Sequence, residues 1–262
     1  MALDLAQSIV LSTLLCGTLS ALAYRKGVLS LDGSLAAFAI GMLIGVLGDV
    51  TWLLLLLFFL LSSFLATRYR FALKEAMGVQ EGDRGERRAS NVLANGIAAT
   101  AVAVLASLDL SFLPKAVSGI LFLSALAVAG ADTLASEIGV LSRRAYLITT
   151  FVRVPPGTDG GVSHLGQLCA LGASLYTAVV GWFALSYLAD VAGLARTMPA
   201  QTSLIAIPIV VGFVGCQIDS LIGATFERRG LVNKKTTNLI ATVSGSILAY
   251  ALLLTWGGLT IP

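Results

Sequence analysis

Charge is what this sequence has least of. Asp, Glu, Lys and Arg make up 12% of its 262 residues, against about 25% in soluble globular domains. Apolar residues make up 57%, and the mean hydropathy is +0.91. That balance excludes a soluble domain of useful size. The few charges are also too few and too localised for a nucleic-acid surface. Histidine occurs once, at His164, which excludes a histidine-based metal cluster. The three cysteines, Cys16, Cys169 and Cys216, form no C-x-x-C pair and each lies in an apolar stretch. They read as small buried apolar residues, not as a disulfide framework or a thiolate metal site. The first residues carry Asp4 and no basic run, so a cleaved signal is not expected and the first apolar run reads as a retained span.

What is there is a series of apolar runs. Eight of them reach about 17–25 residues, the length that crosses a bilayer. Their expected limits are 3–23, 33–48, 50–67, 91–108, 116–139, 163–187, 203–226 and 237–257. The fold class is therefore all-α, a polytopic transmembrane helical bundle, expected to form one integral membrane domain over 1–262. In the second run Gly41, Gly45 and Gly48 lie on or near one face, which suggests close helix packing. Fifteen of the 17 Lys and Arg residues fall in loops one, three, five and seven, and only Lys115 and Arg196 fall on the other side. By the positive-inside rule the odd loops face the cytoplasm and both termini face out. Loop three contains EGDRGERR and is expected to be solvated. Loop five continues as AYLITTFVRV and then VPPGTDGGVS. Its β-branched and aromatic part predicts a short β-hairpin near 145–160.

Ionisable residues inside such runs need a reason, since each costs about 2.5–3.5 kcal/mol near the bilayer centre. Asp132 and Glu137 stand in GADTLASEIG of span five, and Asp219 and Glu227 in span seven. Asp132 and Ser136 are four apart and share a helical face. Glu137 is five on from Asp132 and points partly elsewhere. Asp219 on a neighbouring helix could complete a carboxylate cluster, although Asp132 could equally serve only as a hydrogen-bonding partner for another helix. An oxygen-only cluster suits Mg²⁺ better than zinc. Asp132-Thr133-Leu134-Ala135-Ser136 also echoes Asp219-Ser220-Leu221-Ile222-Gly223, as in a parallel repeat. Asn91 and Asn95 in span four, Asn238 and Thr242 in span eight, and Asp32 and Ser34 in span two open their spans from the same side. Polar groups thus gather near one leaflet, where a cytoplasmic reagent and a lipid-soluble one can meet.

The stretch PPGTDGGVS enters span six at the same level. Gly157, Gly160 and Gly161 allow positive φ and close backbone approach, and the following helix start adds partial positive charge for an anion. Thr158 and Ser163 supply hydroxyls, and Asp159 could reach a metal or cap the turn. A tight re-entrant turn is the plainer alternative. Among the basic residues, Arg87, Arg88, Lys234 and Lys235 stand closest to polar span starts and are candidates to hold a triphosphate or pyrophosphate. For Asn95 and Asn238 the plainer role is a helix–helix hydrogen bond.

GADTLASEIG, VPPGTDGGVS, IDSLIGATFERRG and NKKTTNL occur in this order, with NVLANG at 91–96 before them. Together they resemble the membrane family that includes the phytyl-phosphate kinase of vitamin E (tocopherol) synthesis, over roughly residues 30 to 257. The resemblance implies phosphorylation of an isoprenoid monophosphate, phytyl or geranylgeranyl phosphate, to its diphosphate. It implies a nucleoside triphosphate donor such as CTP, Mg²⁺ as cofactor and the lipid bilayer as a partner. It places the protein in a cell inner membrane or, in a eukaryote, a plastid envelope membrane. The site residues it implies are Asn95, Asp132, Ser136 and Glu137, then Gly157, Thr158, Asp159, Gly160, Gly161 and Ser163, then Asp219 and Asn238. Of these, Asp132, Glu137, Asp159 and Asp219 are the expected metal ligands, and Asp132, Glu137 and Asp219 the expected catalytic carboxylates. The Lys234-Lys235 pair departs from a stretch that is more amide-rich in the family. Self-association into an oligomer is compatible with such a bundle. Two other functions use the same residues: a nucleotidyl transferase making an NDP-linked lipid, and an ion-coupled transporter.

Overall fold

The computed structural model describes residues 4–80, 85–110, 112–191, 197–199 and 201–256. Arg84 and Arg196, and the first four residues of EGDRGERR, lie outside the described residues. Along the chain come α1 (Leu5–Arg25), α2 (Leu31–Leu43) with a π-helical continuation Ile44–Gly48, α3 (Val50–Arg68), the short α4 (Phe71–Ala76), α5 (Ala89–Ser107) and α6 (Lys115–Gly139). Three short strands follow, β1 (Ala145–Leu147), β2 (Arg153–Val154) and β3 (Gly161–Val162). Then come α7 (His164–Trp182), which runs on through a π-helical stretch Phe183–Leu188 into α8 (Ala189–Val191), α9 (Ala206–Ile222) with a π-helical end Gly223–Glu227, and α10 (Lys234–Trp256). Among the described residues eight helices, counted with their continuations, are long and apolar enough to cross a membrane. They coincide with the eight expected runs to within a few residues.

Helix α6 is the axis of the bundle. Its most apolar stretch is 89% buried, against 11% for α1. Small residues on its neighbours let them approach it closely. A Cβ at Gly181 of α7 would run into Leu123, and one at Gly215 of α9 would run into Val128. A Cβ at Gly212 would lie 2.9 Å from the Cβ of Ala127, and one at Gly245 of α10 would lie 2.6 Å from Val128. In lipid such close packing, not a hydrophobic drive, holds helices together. The glycines of α2 act in the same way toward α1: Gly41 seats Cys16 and Gly45 seats Ser12. At the apolar end Trp52 is fully buried, stacks on Phe122 at 4.3 Å and donates to Thr197 Oγ1 at 2.9 Å.

Helix starts fall where the sequence supplies caps. Asp4, Ser30, Asp49 and Ser163 accept from the backbone of Gln7, Gly33, Thr51 and Gly166. Helix α5 takes its capping acceptor from another element, since Asp32 of α2 accepts from Ala89 N at 3.0 Å. The expected hairpin is a three-stranded antiparallel sheet, ordered β2-β1-β3. Strands β1 and β2 are the β-branched, aromatic part of loop five. Strand β3 is added by the glycine stretch, with Tyr146 opposite Val162 and Leu147 opposite Gly161.

The odd-numbered loops meet at one end of the bundle. Leu29 pairs in parallel with Arg87. Gly157 packs on Val79, and Gly160 on the backbone of Ala224. This end carries most of the Lys and Arg residues.

The packing predicts a contrast between two glycine variants. Gly215→Val should destabilise the purified protein by about 1–3 kcal/mol through overpacking. Gly172→Ala, where a Cβ would meet nothing within 4 Å, should stabilise it by about 0.5–1 kcal/mol. Thermal unfolding in detergent checks both, and equal effects would contradict the close contact of α9 with α6.

Candidate active site

Asp132 of α6 and Asp219 of α9 are both buried, at 8% and 3% exposure. They face one ammonium, that of Lys234 at the first turn of α10. Its Nζ lies 2.5 Å from Asp219 Oδ1 and 3.7 Å from Asp132 Oδ1. Two helices running in the same direction thus present matching aspartates to one cation, the physical counterpart of the sequence echo. Two carboxylates against one ammonium are balanced only by a proton or a further cation, in a poorly solvated place. Such a group is costly without a further positive partner.

Asn238 stands one turn beyond Lys234 on α10. With its amide nitrogen facing the available acceptors, it donates to Asp219 Oδ2 at 3.1 Å and to the Lys234 carbonyl at 2.8 Å. Its side chain meets that of Asn95 of α5 at 3.5 Å. The bond to Asn95 Oδ1 needs the opposite amide orientation, so the helix–helix bond and the site bonds are alternatives for this residue. Ser136 donates to the carbonyls of Asp132 at 2.9 Å and Thr133 at 3.1 Å, along its own helix. Its oxygen lone pairs remain as acceptors.

Two polar cavities meet at these residues. The first, of about 150 Å³, has Asp132, Asp219 and Lys234 on one wall and the glycine stretch 157–161 on the other. The second, of about 200 Å³, is bordered by Arg87, Asn91, Asn95, Glu137, Lys235 and Asn238. Asp132, Ser136 and Lys234 border both.

The glycine stretch is docked on α9, the helix that carries Asp219. Gly160 has φ +70°, and a Cβ there would run into the backbone of Ala224. A Cβ at Gly223 would in turn come within 2.9 Å of Gly160 N. Gly157 also has positive φ, +84°. Two expected ligand hydroxyls are used in building this wall. Thr158 donates to the Pro155 carbonyl at 2.8 Å. Ser163 donates to the Gly139 carbonyl at 3.0 Å and accepts from Gly166 N at 3.1 Å. Within this wall Gly161 N donates to the Thr158 carbonyl at 2.8 Å and Thr158 N to the Pro155 carbonyl at 3.3 Å, so its turns engage part of their own amides, and the start of α7 adds partial positive charge. Asp159 and Gly161 border the same cavity, Asp159 from its exposed side.

Two expectations change. Glu137 does not join Asp132 and Asp219. Five residues of helix turn it about 140° away from Asp132, toward α3 and α4. There its Oε2 lies 2.6 Å from Lys74 Nζ, and its Oε1 accepts from Thr67 Oγ1 at 2.8 Å. Lys74 is fully buried and also donates to the carbonyls of Thr67 at 2.6 Å and Ala66 at 3.2 Å. Arg88 is exposed and borders neither cavity, because it sits at the N-terminal cap of α5. Its neighbour Arg87 is the one that faces inward. Arg87 N donates to the Val28 carbonyl at 3.0 Å, its carbonyl accepts from Ser30 N at 3.1 Å, and its guanidinium donates to Thr67 Oγ1 at 3.3 Å. Lys74 and Thr67 were invisible as site neighbours in the sequence. The only signal was a single lysine in FALKEA and an acid, Glu137, with no local partner.

Among the described residues no three His, Cys, Asp or Glu side chains converge as a protein-only metal cage. The donors at the junction are two carboxylates and a serine hydroxyl, all oxygen. That set fits Mg²⁺ accompanied by phosphates, which complete its coordination, and does not fit a structural zinc.

The buried pair predicts a stability signature. Glu137→Ala should cost about 3–5 kcal/mol, because it strands the Lys74 charge. The double variant Lys74→Met with Glu137→Met should recover most of that loss. Thermal unfolding in detergent reads both, and a harmless Glu137→Ala would refute the pairing.

Comparison with known proteins adds the family. The chain is 32% identical to an uncharacterized membrane protein of Methanocaldococcus jannaschii, over 90% of this chain and 91% of that one. It is 33% identical to Protein PGR of Arabidopsis thaliana, over 79% of this chain and 75% of that one. It is 31% identical to Protein VTE6, chloroplastic, of the same plant, over 84% of this chain but 64% of VTE6. No solved structure matches. The family model described as integral membrane protein DUF92 matches residues 14–252, and the chain belongs to that family.

Proposed function

We propose that this protein is an integral-membrane kinase that converts an isoprenoid monophosphate to its diphosphate with a nucleoside triphosphate. The observation that carries this reading is the shared wall of Asp132, Ser136 and Lys234 between two polar cavities. A two-substrate phosphoryl transfer needs two adjoining phosphate sites that meet at common residues, where the acceptor oxygen can reach the γ-phosphorus directly. The resemblance carried by the four ordered motifs points to the same activity, with phytyl or geranylgeranyl phosphate as acceptor and CTP as donor.

In this reading the donor phosphates lie against the glycine stretch and the start of α7, whose remaining N–H groups donate to the phosphate oxygens. The acceptor phosphate lies on the Arg87 and Lys235 side. Phosphoryl transfer is mostly positioning and charge stabilisation. An oxygen of the acceptor phosphate forms the new P–O bond, and the bond from the γ-phosphorus to its bridging oxygen breaks. The nucleoside diphosphate leaves with that oxygen. The acceptor oxygen is already ionised, so no side chain has to remove a proton. Lys234 follows the charge between the two cavities, and Asn238 holds Asp219 in place. Asp132 and Asp219 would hold Mg²⁺, which supplies charge neutralisation on the donor phosphates. Asp159 is a further candidate ligand on the solvent side. The basic end of the bundle faces the cytoplasm, with both termini outside, in a cell inner membrane or plastid envelope membrane. Polar side chains gather at that end, which supports chemistry at one leaflet over a path through the membrane.

Incubation of the purified protein with a panel of prenyl monophosphates and each of the four triphosphates tests this. Prenyl diphosphate and nucleoside diphosphate should appear in equal amounts, and only with Mg²⁺. Asp132→Asn and Asp219→Asn should each lower turnover by about 10²–10³-fold while eluting as folded protein. Release of pyrophosphate with an NDP-linked lipid would assign a nucleotidyl transferase instead. Full activity in both variants would remove the two aspartates from the mechanism.

A further inference from the structure

A third cavity lies between α1, α2 and α3. At about 590 Å³ it is larger than either polar cavity and falls in the range of about 300–1,000 Å³ typical of small-molecule sites. Leu19 and Ala23 of α1 and Leu57, Leu60 and Phe64 of α3 form its sides. Ala37 and Gly41 of α2 form its floor. Helix α3 borders it from Leu53 to Thr67, about 21 Å along the helix axis. Its long walls are apolar and its basic-end mouth is not. Lys26, Arg68 and Arg87 stand there, and no Asp or Glu borders the cavity among the described residues.

We infer that this groove takes the isoprenoid chain of the acceptor and that Arg87 holds the acceptor phosphate at its mouth. The inference rests on the kinase reading for the word acceptor, but not for the binding itself. Three observations commit the groove to a prenyl phosphate instead of ordinary bilayer lipid. First, the mouth adjoins the site. Arg87 borders the groove, the second polar cavity and a small gap of about 20 Å³ beside Asn91 and Asn95. A head group held by Arg87 at the mouth therefore stands beside the cavity that Asn95 and Lys235 border. Second, the charges match. Lys26, Arg68 and Arg87 bring positive charge to the mouth, where a phosphate dianion makes charge-assisted hydrogen bonds and a prenyl alcohol offers only a neutral acceptor. Third, the cation at the junction is placed in advance. Backbone hydrogen bonds to Val28 and Ser30 fix Arg87 on both sides of its Cα, and Thr67 accepts from its guanidinium at 3.3 Å. Thr67 is also bonded to Glu137. The Lys74–Glu137 pair thus positions the mouth of the groove, which gives it a role the carboxylate cluster does not.

Equilibrium binding to the purified full chain, without nucleotide, tests the inference. The probes are geranylgeranyl monophosphate, dimethylallyl monophosphate, geranylgeraniol and phosphatidylglycerol. Ser20→Trp, from the α1 side, and Leu60→Trp, from the α3 side, would each fill the groove. Either should weaken geranylgeranyl monophosphate by about tenfold or more relative to dimethylallyl monophosphate. Leu175→Trp, on the exposed face of α7, should leave that ratio unchanged. Arg87→Gln should weaken both monophosphates by about tenfold or more and leave geranylgeraniol unaffected. An unchanged chain-length ratio in both folded groove variants would overturn the inference. So would phosphatidylglycerol competing as well as the prenyl phosphate, which would make the groove a lipid seat. The kinase reading fails separately: intact binding with the predicted variant effects, but no phosphoryl transfer, keeps the groove and removes the kinase.

Discussion

Two buried carboxylates that share one ammonium are the constraint around which this protein is built. Asp132 and Asp219 come from different spans, and Lys234 from a third. Neither aspartate is stable as an isolated charge at that depth, whereas the Lys234 side chain is half exposed. An isolated Asp in a membrane helix would find another partner or pull its helix toward water. Together they fix the relative height and rotation of α6, α9 and α10, and two acids against one ammonium are balanced only by a proton or a further cation.

The helix that carries Asp132 is also the most enclosed element. That enclosure depends on glycines in its neighbours, which bring three helices against Leu123, Ala127 and Val128. Close packing limits how far Asp132 can move. The same logic recurs at the glycine stretch, where Gly160 and Gly223 bring two backbones together. There the contact holds the anion-facing wall at a set distance from Asp219. A second buried pair, Lys74 with Glu137, ties the loop between α3 and α5 to the same central helix. Both sides of the site are thus hung from α6, one through the sheet and α7, the other through α4 and Arg87.

Much of this was readable from the sequence, and the reasons are specific. Apolar run length and the alternation of basic loops report the bilayer directly, so the eight spans emerge with small boundary errors. The AYLITTFVRV stretch has enough β-branched residues to announce β1 and β2. Strand β3, two residues after a pair of glycines, has no periodicity to read. The aspartates stood out because charge in an apolar run is costly. Glu137 stood out for the same reason, but cost alone does not name a partner. Lys74 lies 63 residues away, and helical rotation, not spacing from Asp132, decides which acid meets which base. Arg87 and Arg88 are adjacent in sequence, so only the backbone pairing of Arg87 with Val28 and Ser30 shows which one turns inward. Lys234 was read as a phosphate holder, whereas the structure shows its ammonium already engaged by Asp219.

The most direct measurement of the central claim is paramagnetic. Mn²⁺ replaces Mg²⁺ as a probe, and its spin resonance is recorded on the purified protein with a non-hydrolysable triphosphate. The account predicts a bound signal that needs the triphosphate and is lost in Asp132→Asn and in Asp219→Asn alike. A bound signal of equal strength in both variants would mean that these carboxylates do not converge on a divalent cation.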